Sequence, residues 1–186
     1  MNTTTAKPLA GLFAVVFALL AMATLWAASV PYWDGLSLFS FVLFGWIPLL
    51  LVYLVWLTLT AHRSRSPFLL AAPFAITIGV MVALATDVSF QARFALSHAA
   101  MDRLVTTIDP EADHACHDAG LYRLCQEPLY VDGDDTPDGV AFAIDNGSDG
   151  VRGFAHSPGG VPQSSGDDEY DHLTGDWYRW KGWDGW

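Results

Sequence analysis

Only three charged residues, Asp34, Arg63 and Arg65, interrupt the chain between Lys7 and Asp87. They divide it into three uncharged stretches, residues 8–33, 35–62 and 66–86. A helix needs about 20 mostly apolar residues to cross about 30 Å of hydrocarbon, and each stretch meets that length. The sequence therefore predicts transmembrane helices over about residues 9–30, 38–60 and 68–86. The connections PYWDG (31–35) and HRSRSP (62–67) are short, so the helices are expected as antiparallel neighbours in a hairpin or bundle.

Charge separates this half from the rest. Up to residue 88 there are three bases against two acids, net +1, and beyond it six bases against eighteen acids, net −12. Two such halves suit two different solvents. The expected organisation is a transmembrane domain over residues 1–87 and an exported acidic α+β domain over 88–186. Acidity in the exposed half argues against a nucleic-acid partner; the lipid bilayer is the partner the apolar half implies. Lys7 and the Arg63/Arg65 pair fall on one side of the bundle. Because short-loop bases are retained in the cytoplasm, the expectation is a multi-pass plasma-membrane protein with its N-terminus cytoplasmic and its C-terminal domain extracytoplasmic. The best signal-peptidase site, after Ala28, has Trp26 where a small residue is wanted, so the first span reads as an uncleaved anchor. Trp26, Tyr32 and Trp33 are expected at headgroup level.

No Asp, Glu, Lys, Arg or His lies inside the spans away from their ends, which argues against a transporter or proton pump. Pro48, beside Gly45, and Pro73 read as tolerated kinks. Small residues recur every four positions, as Ala10, Ala14 and Ala18 in the first span and as Ala75, Gly79 and Ala83 in the third. They serve either packing within the bundle or docking of another membrane protein subunit.

Beyond the spans, Phe90, Phe94, Met101, Leu104, Val105 and Ile108 recur at three- and four-residue intervals. They predict an amphipathic helix over about 88–108, running on from the third span and stopping before Pro110. Short β-like runs follow at 120–125, 128–131, 139–145, 151–157 and 176–180, consistent with a small antiparallel sheet, with Asn146-Gly147 as a turn signal. A domain of about 80 residues has little core and often carries a covalent staple. Cys116 and Cys125 supply an even pair, read as a disulfide on an oxidising face of the membrane. The rival reading is a metal site at His114-Ala-Cys116-His117, ranked lower because zinc sites use separated pairs of ligands.

No metal and no cofactor is expected. Asp132, Asp134 and Asp138 alternate as calcium ligands do, but an EF-hand loop from Asp132 would need Gly and a bidentate acid where Pro137 and Ala143 stand. A solvated acidic turn is the default. No catalytic residue is assigned either. His156-Ser157-Pro158-Gly159 approaches a nucleophile elbow, yet Pro158 has no N–H to offer an oxyanion. Glu169 with Asp167 and Asp168, and His172, are acids and a base whose spacing shows no pairing. Trp177, Trp180, Trp183 and Trp186 recur every three residues. Trp177 and Trp180 are expected to close the core, with an interaction surface as the competing role, and Trp183 and Trp186 to be interfacial or disordered.

With GLYRL, then Gly153 to Pro158, then Tyr170 to Tyr178 in that order, the last 100 or so residues resemble a group of uncharacterised small actinobacterial membrane proteins with three N-terminal transmembrane helices and an exported C-terminal domain. The resemblance implies that architecture and no activity. The functional expectation is thus an accessory or scaffold protein presenting an extracytoplasmic interaction domain. An extracytoplasmic binding module for a cell-wall glycan or a cation is the alternative, and an envelope hydrolase using His156 or His172 has the least support.

Overall fold

The computed structural model describes residues 3–32, 35–60, 67–109, 115–129, 139–144, 152–162 and 168–182. The chain forms two compact units, one of Met1–Ser29 with Trp33–Ser89 and one of Val30–Tyr32 with Phe90–Trp186.

The first unit is helical. It contains α1 (Thr3–Ala27), α2 (Gly35–Ser40), a π-helical segment (Phe41–Trp46), α3 (Ile47–Thr60) and α4 (Pro67–Ala85). Leu9–Ala27 and Leu38–Leu59 are long and apolar enough to cross a membrane, and Ala71–Ala85 with the helix after it would supply a third span if the bent pair counts as one. The π-helical segment lies just before Pro48, which has no N–H and whose ring crowds the carbonyl four residues back. The Ile47 N–H accordingly bonds the Val42 carbonyl, five residues earlier. Gly45 lets α1 come close, since a Cβ there would meet Leu20 Cδ1 at 3.0 Å.

Phe17, Ala21, Trp46, Tyr53 and Val80 form the buried centre of this unit. A local polar contact lies within it: Trp46 Nε1 donates to Thr24 Oγ1 at 3.1 Å, and that hydroxyl donates to the Leu20 carbonyl at 2.8 Å. Both polar groups are therefore satisfied without a charge.

α4 does not continue into the next helix as the sequence suggested. Asp87 takes φ +56, the left-handed conformation that ends a helix, and its N–H bonds back to the Leu84 carbonyl. The Thr86 hydroxyl bonds the Val82 carbonyl in the same turn. Asp tolerates this geometry better than most residues, so an Asp after an apolar run terminates α4, and α5 (Val88–Val105) starts anew. α5 also stops three residues short of the expected end, where the Thr107 and Ile108 N–H groups both turn back to the Leu104 carbonyl.

The second unit is a six-stranded antiparallel sheet in the order β1-β2-β3-β4-β6-β5, with α5 across one face. Its strands are β1 (Cys116–Ala119), β2 (Tyr122–Leu129), β3 (Gly139–Ile144), β4 (Arg152–His156), β5 (Glu169–Thr174) and β6 (Trp177–Lys181). The two runs expected at 120–125 and 128–131 are one strand. Gly120 and Leu121 instead form a two-residue turn, with Gly120 at φ +65, where a Cβ would stand 2.7 Å from Ser97 Cα. Pro128 lies beyond the end of β1, on a stretch with only β3 as a described neighbour, where a strand proline is tolerated. Residues 130 and 131, the Asn146-Gly147 turn, His114 and Asp132, Asp134 and Asp138 lie outside the described residues.

β1 and β2 are joined by the Cys116–Cys125 disulfide, whose cysteines are register partners. Closing a loop of about 10 residues removes unfolded-state entropy worth about 2.5–3 kcal/mol. Replacing both cysteines by serine should lower the stability of the sheet unit by about that amount, read from tryptophan emission in a denaturant titration of the full chain. Equal midpoints would refute the assignment of the staple as a stabiliser.

Candidate functional site

Period-two alternation gives the sheet two dissimilar faces. Toward α5 point Tyr122, Leu124, Val140, Phe142, Phe154 and Trp177, which close on Phe90, Phe94 and Met101. Away from α5 point Ala141, Ala155, Tyr178 and Trp180, flanked by Ala143 and Tyr170. The second face is a floor of small residues under large rings. Gly153 belongs to the same pattern, because a Cβ there would lie 1.7 Å from the Phe142 carbonyl oxygen.

Both tryptophans considered for an interaction surface are in these layers. Trp177 is 2% exposed and Trp180 6% exposed. Trp177 Nε1 donates to Asp102 Oδ1 at 2.8 Å, and Trp180 Nε1 donates to Asp168 Oδ1 at 3.3 Å. Each ring thus meets the rule that a buried indole finds an acceptor. Trp183 and Trp186 lie outside the described residues. Of the aromatics expected at headgroup level, Tyr32 belongs to the sheet unit, Trp26 is exposed on α1 and Trp33 lies outside the described residues.

The chemistry-bearing groups of this unit collect near Trp177. Asp102 accepts from Trp177 through one oxygen and lies 3.1 Å from His98 Nδ1 through the other. The His156 ring stands edge-on to Trp177, centroids 5.0 Å apart. The contacts to Trp177 were not legible from spacing, since Asp102 and Trp177 are 75 positions apart; the i,i+4 spacing of His98 and Asp102 was the available signal for that pair. Ser157 is buried and its N–H is donated to the Asp176 carbonyl. His172 sits on the exposed β5 strand, its Nε2 2.9 Å from the Gly175 carbonyl. His156 and His172 are therefore held by different strands, each against a ring or a carbonyl. Among the described residues no group of three or more His, Cys, Asp or Glu side chains is placed to hold a metal ion. With Cys116 oxidised, the His114–His117 motif has no thiolate to offer.

In the helical unit the small-residue stripes divide. Ala10 is buried, whereas Ala75 and Gly79 are exposed and Ala83 is half-buried. A Cβ added at Gly79 would meet nothing within 4 Å. α4 packs through Val80, Ile76 and Leu84, on a different face.

No protein-family model, no curated protein and no solved structure matches this chain.

Burial lowers the His156 pKa from its ordinary 6.5, with Asp176 and Asp102 opposing the shift. Below about pH 6.5 the unfolded chain then binds more protons at this position than the folded one, so stability falls as the pH drops through that range. Substituting His156 by Gln should make the stability lost between pH 7 and pH 5.5 smaller than in the natural chain, measured by denaturant titration at each pH. An unchanged difference would remove His156 from the pH response.

Proposed function

We propose that the chain is an integral membrane protein with an extracytoplasmic sheet domain, and that it acts as an accessory or scaffold subunit rather than as a catalyst. One observation carries the membrane part: the helical unit turns its large apolar side chains outward. Met22 is 63% exposed, Phe44 75%, Leu59 75% and Met81 66%, and Leu12, Leu19, Leu51, Val55 and Ile78 are also exposed. A soluble protein rarely exposes such a continuous apolar surface, because each buried CH₂ is worth about 0.8 kcal/mol. Hydrocarbon removes that cost.

The orientation rests on Lys7, Arg63 and Arg65, which favour the cytoplasmic side and leave the acidic domain outside. The Cys116–Cys125 disulfide supports this, since such bonds persist in oxidising compartments. The accessory role rests on Ala75, Gly79 and Ala83. Ala75 and Gly79 are exposed and a Cβ at Gly79 would meet nothing within 4 Å among the described residues, and small residues at four-residue spacing let a second helix approach closely.

Two outcomes test this reading. Alkaline carbonate washing should leave the chain in the membrane pellet, and its release would sink the membrane assignment. Replacing Gly79 by Leu should dissociate the native assembly on a non-denaturing gel while Gly79→Ala retains it; assembly that survives the leucine would count against docking through α4.

A further inference from the structure

Val30–Tyr32 lies between α1 and α2 in sequence, yet it belongs to the sheet unit, while Met1–Ser29 and Trp33–Ser89 belong to the helical one. Pro31 is fully buried. Tyr32 adopts φ +47, a left-handed conformation that strains a bulky side chain and persists only where surrounding contacts impose it.

Three side chains impose it. Arg152 of β4 donates from Nη1 to the Tyr32 carbonyl at 2.8 Å. Tyr32 donates its hydroxyl to Asp171 Oδ2 of β5 at 2.7 Å. The Arg179 guanidinium of β6 stands 5.5 Å from the Tyr32 ring centroid and 4.1 Å from that of Phe90 on α5. Burial, the bond to Asp171 and that carboxylate's charge all push the phenol pKa up, so Tyr32 remains a neutral donor.

The strand that gains most is β5. Among the described residues it is an edge strand paired with β6 alone, its register shifts between His172 and Thr174, and most of its side chains are exposed. Its apolar anchors are two half-buried side chains, Leu173 and Tyr170, and segments with few buried apolar contacts open locally. Tyr32 adds a hydrogen bond to Asp171 from outside the sheet.

We propose that Tyr32 is the tongue of a conformational latch: engaged with Arg152, Asp171 and Arg179 it holds the β5 edge, and on release residues 30–32 and β5 open together. The backbone strain at Tyr32 favours release once the polar contacts are lost. The connection between α1 and α2 is thereby coupled to the far edge of the sheet. This inference goes beyond the accessory role and does not rest on it, since every contact it uses lies within the sheet unit.

Hydrogen exchange of the full chain in detergent micelles tests it. Tyr32→Phe removes the hydroxyl, and Asp171→Ala removes the acceptor of that bond. Each should speed exchange about tenfold in both 30–32 and 169–174, by the same factor, and leave 122–129 and 139–144 unchanged. The double variant should be no faster than either single one, because both remove one interaction. Unchanged exchange, acceleration of 169–174 without 30–32, or factors that multiply in the double variant would each overturn the latch. Should a variant lose protection across 139–144 as well, the natural chain decides: the two segments must show one common protection factor, and unequal factors overturn the proposal.

Discussion

Phe154 is the point on which the sheet unit depends. Fully buried on β4, its ring stacks on Phe90 and Phe94 of α5, with centroids 6.2 and 5.5 Å away. It meets Tyr122 of β2 and Trp177 of β6 edge-on at 5.0 and 6.5 Å. One side chain thus connects the helix with strands on both sides of β4. Aromatic pairs at these distances add to the area they bury, which matters in a unit this small. The strict alternation of β4 follows from it: with Phe154 toward α5, Gly153 and Ala155 must face the other way, and their small size leaves room for Tyr178 and Trp180.

Features that depend on near neighbours in sequence were legible, and those that depend on distant contacts were not. Phe90, Phe94 and Met101 announce α5 by spacing alone, and all three are buried as that spacing requires. The runs at β3, β4 and β6 stand out because two packed faces make most of their central residues small, apolar or aromatic. β1 and β5 have neither mark. Their sequences, CHDA and EYDHLT, are largely polar because they form the two edges of the sheet. What gives them away is turn chemistry. Gly120-Leu121 and Gly175-Asp176 each place a glycine with positive φ first in a two-residue connection, and a strand on each side of such a turn follows.

The break before α5 has a similar origin. Periodicity continues across Thr86 and Asp87, so a reading by hydrophobic spacing carries the helix through. The left-handed turn at Asp87 is a choice of one residue's backbone, and Asp is among the few non-glycine residues that accept it. The site residues divide on the same principle. The Cys116–Cys125 pair was legible because nine positions separate two cysteines that need each other. Asp102 with Trp177, and Tyr32 with Asp171, join residues 75 and 139 positions apart, and nothing local marks them. Tyr32 in particular carries the signature of an interfacial aromatic, which describes its ring and not the acceptor that claims its hydroxyl.

The separation of the two units constrains where chemistry can reside. In the helical unit the buried polar contact, Trp46 to Thr24, is neutral and returns to the backbone four residues away; it stabilises without offering a charge. Ionic and titratable groups gather instead in the sheet unit, where Asp102 orients both His98 and Trp177 and where Arg152, Asp171 and Arg179 surround Tyr32. Val30–Tyr32, which lies between α1 and α2 in sequence, is held by side chains of three strands, Arg152, Asp171 and Arg179. An isolated span from residue 88 onward would lack Tyr32, whose hydroxyl donates to Asp171 and whose carbonyl accepts from Arg152 here. The sheet unit is completed by a piece of chain that lies more than fifty residues before its helix begins.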